Sequence, residues 1–344
     1  MHSFNYKSMR PLIILAALAA SSCMGLTPAE PSVTEAVFTL KAGTKATSGM
    51  AEYAINHWAV MLFDAGNPDA SYYAVSDSGE DITCTVRKDR PYRAYAIVNY
   101  PTDGPGAFDP AEVGSEADLN SFVSYLGGNG ISSLTMFGST ALPAPSPGTR
   151  TPITVSRLCS KVCISKITLS VTDALYSGKD FILNALYLTN VYCAGTLAED
   201  HFTPSDDESL WYNATAWHGS GSIDALDALV GDRGLSERIP DGGSYTRTHT
   251  FYAYPNACSQ DSRSPVWSPR CTRLVIEATL GNKRYFYPVT ISGMQRNHNY
   301  TVTEAVIHGP GSLDPEQEIP GVLDISLSIT QDTWDSEYYI SETS

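Results

Sequence analysis

Between Thr272 and His308 the chain alternates apolar and polar side chains with a period of two. In TRLVIEATL, Leu274, Ile276 and Ala278 alternate with Arg273, Val275 and Glu277. Such a run predicts a strand with one buried face. Gly281-Asn282 separates it from KRYFYPVTI, and both residues tolerate the positive φ of a tight hairpin turn. A third run, Tyr300 to His308, is closed by Gly309-Pro310-Gly311, so this region predicts an antiparallel meander. Further strand-like runs lie upstream at Val33–Leu40, Ile55–Phe63, Tyr72–Val75, Ile82–Val86 and Tyr92–Tyr100, then at Ile153–Val171, Phe181–Tyr192 and Tyr245–Tyr254. Helical spacing is rare. Ser115 with Asp118 resembles a capping box, and Leu119, Phe122, Val123 and Leu126 follow at i, i+3, i+4 and i+7. Residues 222–230 predict a second short helix.

The stretch ALPAPSPGTRTP carries Pro143, Pro145, Pro147 and Pro152 and no apolar periodicity. So many prolines stiffen a segment and bar it from a central strand. It therefore divides the chain into a domain over residues 23–150 and a second over 151–344. Strands recurring in both halves, with turns between them, predict an all-β fold of two tandem β-sandwiches with one or two short helices. Two further strand candidates, DISLSIT (Asp324–Thr330) and WDSEYYI (Trp334–Ile340), follow where the second sandwich could already be complete. A leading strand at one end and surplus strands at the other are the parts needed for strand exchange between subunits.

Lys7 and Arg10 precede a short apolar run, Leu12–Ala20, and then Ala20-Ser21-Ser22-Cys23. The run is too short to span a bilayer and suits a secretory signal over residues 1–22. Small residues directly before Cys23 resemble a lipobox, which would make Cys23 the acylated first residue of the mature protein; the alternative is an ordinary signal peptide cut nearby. Twenty tyrosines, 26 glycines and 21 prolines favour strands and turns. The formal charge is −15, and loss of Lys7 and Arg10 with the signal takes it to about −17. A surface so acidic repels nucleic acid and anionic headgroups.

Residue patterns for catalysis are missing from the sequence. The seven histidines form no HExxH pair, and neither a Gly-x-Ser-x-Gly elbow nor a phosphate-binding glycine loop occurs. No cofactor, metal or catalytic residue is expected. Asp206-Asp207-Glu208 lacks the alternating ligands of a calcium loop. Cys159 and Cys163, four apart on a predicted strand, would stand roughly 13 Å apart and could not bridge. Cys258 and Cys271 flank one loop; they form either a disulfide or two small buried hydrophobes. Trp211, Trp217 and Trp267 fall in loop-like contexts, where exposed rings would stack on sugars and buried ones would plug the ends of a sandwich. The first alternative would make the protein a glycan-binding lipoprotein of the outer-membrane surface.

The runs TRLVIEATL, KRYFYPVTI and RNHNYTVTEAVIHGPGSLDP, with FYAYPN (Phe251–Asn256) upstream, resemble in order and spacing the C-terminal domain of the Bacteroidales-type fimbrillins, the lipoprotein pilins of type V pili. The resemblance extends more weakly over the mature chain. It implies Greek-key, transthyretin-like sandwiches and a non-enzymatic stalk, tip or accessory subunit of a surface fimbrium. It also implies export, acylation (palmitate) at Cys23 and passage to the outer membrane. A surface protease of Arg or Lys preference would release the first strand at Lys41 or Lys45, where the family more usually offers arginine. The donor tail of another pilin subunit, with Ile325, Leu327, Ile329, Trp334, Tyr338 and Ile340 within residues 324–340, would fill the opened groove. Host or bacterial surface ligands would be the targets of adhesion.

Overall fold

A computed structural model describes residues 32–42, 51–104, 106–197, 206–212, 229–261 and 268–331. In chain order the first strands are β1 (Val33–Ala42), β2 (Trp58–Asp64), β3 (Asn67–Ser76), β4 (Ile82–Arg87) and β5 (Tyr92–Val98). Helix α1 (Glu116–Ser121) leads to β6 (Val123–Tyr125), β7 (Met136–Leu142) and β8 (Thr149–Arg157). There follow β9 (Ser160–Ile164), β10 (Ile167–Leu169), β11 (Phe181–Thr189), β12 (Val191–Tyr192), β13 (Ala194–Thr196) and β14 (Trp211–Tyr212). The last are β15 (Gly231–Ile239), β16 (Ser244–Tyr245), β17 (His249–Ala253), β18 (Thr272–Leu280), β19 (Lys283–Ile291), β20 (His298–Ile307) and β21 (Leu323–Gln331).

The architecture is all-β and of sandwich type. The first strands form one path, β3-β2-β5-β7-β8-β1-β4. Among the described residues the backbone ladder joins its two limbs only at Met136↔Arg157 and Phe137↔Ser156 of β7 and β8. Gly138 marks this crossing: a Cβ there would lie 1.9 Å from the Thr154 carbonyl oxygen, so no larger residue fits. The limbs fold face to face around Ala36, Phe38, Trp58, Val60, Leu62, Ile82, Ala96 and Ile153. Every residue of β2 is buried, because Ala59, Met61 and Phe63 on its other face join the larger second core. That core lies between the sheet β15-β11-β18-β19 and the sheet β16-β10-β20-β9-β17, which carries β21 on β20.

Three expectations change. The hairpin of β18 and β19 forms around Gly281 at φ 63°, but β20 does not continue a meander. It crosses to the other sheet and runs parallel to β9 and β10 and antiparallel to β21. The proline-rich stretch does not end the first set of strands either: β8 begins at Thr149 and pairs with β1, so the change of sheet falls after Arg157. Pro152 is tolerated because β8 has a ladder on one side only at that point. Finally, Ser115 caps α1 by accepting from the Asp118 N–H, but the helix stops at Ser121 and Val123 enters a strand paired with β13. Of the second predicted helix, only Leu229 and Val230 lie within the described residues, in a turn.

Candidate functional site

β1 is dense in β-branched and aromatic residues, and Thr34, Ala36 and Phe38 on one face are buried. The strand lies between two partners. It runs antiparallel to β4, from Val33↔Arg87 to Phe38↔Ile82, and parallel to β8, from Ala36↔Thr149 to Ala42↔Val155. β1 is thus an inserted strand, not a flap on a sheet edge. Below it lie Trp58, Val60 and Leu62 of the facing limb, with Ile82 and Val86 on one side and Ile153 and Val155 on the other.

β4 is also fastened independently of β1. The indole N–H of Trp58 donates to the Glu80 carbonyl (2.9 Å) just before β4, and the Arg87 N–H at its end donates to the Tyr92 hydroxyl (3.1 Å). Arg150 on β8 reaches across to Asp81 at 3.0 Å. Among the described residues β1 is the one ladder partner of β4, so these side-chain and backbone bonds are its ties to the rest of the sandwich besides β1.

The segment that follows is pinned as well. Lys161 of β9 donates to both carboxylate oxygens of Glu52 at 2.8 and 3.0 Å, and the Tyr252 hydroxyl of β17 donates to the same carboxylate at 2.7 Å. Arg157 donates to the Glu52 carbonyl at 3.0 Å. Glu52 is buried. Sequence reasoning missed this cluster, because its members are far apart in the chain and no local pattern marks them.

At the other end, β21 is docked on its own chain, from His298↔Gln331 to Ile307↔Leu323. Leu323 and Ile325 pack partly against the core, whereas Leu327 and Ile329 are 39% and 55% exposed. A groove of about 430 Å³ runs beside it, lined by Pro288, Val289, Ile319, Leu323, Ile325 and Leu327. Trp334, Tyr338 and Ile340 lie outside the described residues, as do Cys23 and Lys45. Lys41 is exposed but sits within the ladder opposite Thr154. No helix among the described residues is long and apolar enough to cross a membrane.

A cleft of about 800 Å³ is lined by His57, Tyr100, Asp103, Tyr125, Trp211 and Tyr212, among others. Trp211 is not the exposed platform that sugar stacking requires: it is 7% exposed and packs on Tyr192 at 5.2 Å between ring centroids. Trp217 and Trp267 lie outside the described residues. Cys193, also on the cleft, donates to the Leu210 carbonyl, and burial pushes its thiol up to about 11. Asp207 acts as a cap, accepting from the Ser209 N–H and hydroxyl, and these bonds hold its carboxyl below the usual range.

Cys159 and Cys163 are separately buried; burial takes the Cys159 thiol up to about 12. Cys258 and Cys271 are brought together, with their sulfurs 3.8 Å apart. Asp261 stands beside them, within 4.8 Å. Its carboxylate is engaged by Arg270 and Arg273, whose positive charge disfavours a cation at this place.

This fold is that of the fimbrillins. No family model matches the sequence, and no curated protein sequence matches it significantly. Solved structures do match. A candidate cell adhesion protein from Bacteroides eggerthii aligns with a TM-score of 0.61 at 17% identity, covering 87% of this chain and 96% of that one. A fimbrilin from Porphyromonas gingivalis W83 gives 0.58 at 13% identity over 87% and 97%. The tip fimbrial protein Mfa3 of Porphyromonas gingivalis, truncated at its C-terminus, gives 0.51 at 12% over 87% and 99%.

Proposed function

We propose that this protein is a non-enzymatic structural subunit of a cell-surface fimbrium, exported as a lipoprotein acylated at Cys23 and held at the outer membrane until processed. A surface protease of Arg or Lys preference cuts either at Lys41, near the end of β1, or at Lys45, between β1 and β2. β1 leaves, and the tail of another pilin subunit (residues 324–340) enters between β4 and β8. The assembled fimbrium supports adhesion to host or bacterial surfaces.

The observation that carries this reading is the seating of β1: a strand next to the N-terminus, paired on both sides over an apolar floor, with walls that have their own fastenings. Its place between two partners weighs against excision only if the sheet would then collapse. The Trp58–Glu80 and Arg87–Tyr92 bonds tie β4 to the facing limb instead. A cut at Lys45 leaves the ladder intact until β1 dissociates, whereas a cut at Lys41 requires the end of the strand to fray first.

Low-dose trypsin tests the reading on protein purified without residues 1–22. The expected result is a first cut after Lys41 or Lys45, loss of β1, and growth of filaments seen by size-exclusion chromatography and electron microscopy. Leu327→Ser with Ile329→Ser should leave the monomer folded and cut normally but stop growth, since both side chains are substantially exposed in the monomer. A protein that loses β1 and stays monomeric would sink the proposal.

A further inference from the structure

We propose that Cys258 and Cys271 are an oxidation site: they close to a disulfide that clasps the base of the loop between β17 and β18. This inference depends on export but not on polymerisation. Both cysteines sit on backbone that is already fixed. Cys258 N–H donates to Asn256 Oδ1 (3.1 Å), and the Cys258 carbonyl accepts from the Gly293 N–H (2.9 Å). Cys271 N–H donates to Asp261 Oδ1 (2.8 Å), directly before β18. Asn256 ties the two chain ends together, its Nδ2 donating to the Arg270 carbonyl (2.7 Å) and to Thr272 Oγ1 (3.0 Å). With the sulfurs in van der Waals contact at 3.8 Å, side-chain rotation closes the remaining gap and the backbone need not move far.

The two thiols have different roles. Cys258 is half-buried and reachable, whereas Cys271 is buried. The Cys271 thiol donates to Cys258, which lowers the Cys258 thiol below its usual range and raises that of Cys271. Cys258 is therefore the thiolate that meets an external oxidant, and Cys271 resolves the intermediate. The oxidant is a disulfide carrier of the exported compartment. Cys258 attacks one carrier sulfur and expels the other as a thiolate. Deprotonated Cys271 then attacks Cys258 Sγ and releases the second carrier thiolate. Two electrons pass to the carrier and two protons to water.

Oxidised glutathione serves as the probe. The full mature chain is incubated with it, denatured, alkylated with iodoacetamide without reductant, and digested. The expected product is a peptide cross-linked through Cys258 and Cys271, lighter by two hydrogens and released by dithiothreitol. Cys271→Ser should trap glutathione on Cys258, whereas Cys258→Ser should leave Cys271 unmodified. The oxidised protein should unfold about 5 °C higher than the reduced one, given the short loop closed. Alkylation of both cysteines in the oxidised wild type, or glutathione left on Cys258 with no cross-link, would overturn the assignment. Filament growth is not a readout here, so failure of the clasp and failure of the pilin reading remain distinguishable.

Discussion

Phe38 offers a direct measure of how firmly β1 is seated. The residue is 0% exposed and belongs to the core between the two limbs of the first sandwich, together with Trp58, Ile82 and Ile153. Truncating a buried phenylalanine to alanine removes its transfer free energy and leaves a cavity, costing about 3–5 kcal/mol. Native stabilities are only about 5–15 kcal/mol, so Phe38→Ala should remove roughly a fifth of the total or more. Val33, on the same strand but 51% exposed, is the control, and Val33→Ala should change stability by less than about 0.5 kcal/mol. Urea unfolding of the uncut protein reads both, with the midpoint falling and the slope unchanged for Phe38→Ala.

The same substitution has a second consequence once the chain is cut. β1 is then held without a covalent link, and a loss of about 4 kcal/mol weakens its retention roughly a thousandfold. Cut Phe38→Ala protein should release the β1 peptide during gel filtration, where cut wild type retains it for longer. If Phe38→Ala costs less than about 1 kcal/mol, or no more than Val33→Ala, then β1 does not plug this core and the slot argument fails.

Two further outcomes follow from charged groups. Lys161→Met strips a partner from the buried Glu52 carboxylate and should destabilise the protein by about 3 kcal/mol in urea unfolding; replacing Glu52 by Leu in the same chain should recover part of that loss. His308 Nε2 lies 2.9 Å from Asp324 Oδ2, joining β20 to β21, and this hydrogen bond raises the histidine's pKa. The contribution is complete below the unfolded value of about 6.5 and fades as pH rises through the raised folded value. Hydrogen exchange in β21 should therefore show more protection at pH 5.5 than expected from pH 8, by under about 1 kcal/mol for so exposed a pair, and Asp324→Asn should abolish the difference.

Local chemistry was readable wherever one short segment fixed the outcome. Gly281-Asn282 made its hairpin, Ser115 capped its helix, and the unbroken apolar run of β2 belonged to a strand buried on both faces. Partner choice was not readable. β20 carries the same alternation as β19, and nothing in it says whether it pairs with that strand or with β9. Part of the answer lies beyond β20, where Ser312 pairs with Phe286 on the free edge of β19. Buried Arg296 also anchors the crossing, donating to the Arg157 and Leu197 carbonyls. The slot was half legible. The strand itself was legible in Val33–Leu40, but its parallel pairing with β8 joins residues more than a hundred positions apart. The Glu52–Lys161–Tyr252 cluster was invisible for the same reason, and it pins the segment between β1 and β2.

On the proposed reading, packing alone does not favour exchange before cleavage. The inward face of β1 offers Thr34, Ala36, Phe38 and Leu40; the tail offers Ile325, Leu327 and Ile329 at the same period. Moving the exposed parts of Leu327 and Ile329 into the slot gains about 2 kcal/mol at roughly 25 cal/mol per Å², less than the loss of Phe38 alone. Moreover, β1 competes from within the same chain at an effective concentration in the millimolar range or above. An intact subunit should therefore stay monomeric even when concentrated. Cutting between β1 and β2 removes that advantage: β1 becomes a free peptide that dilutes away, while the tail arrives on a folded partner and the slot keeps its shape through β4. The cut supplies direction to assembly, and the pinned segment around Glu52 confines its effect to the strand that must leave.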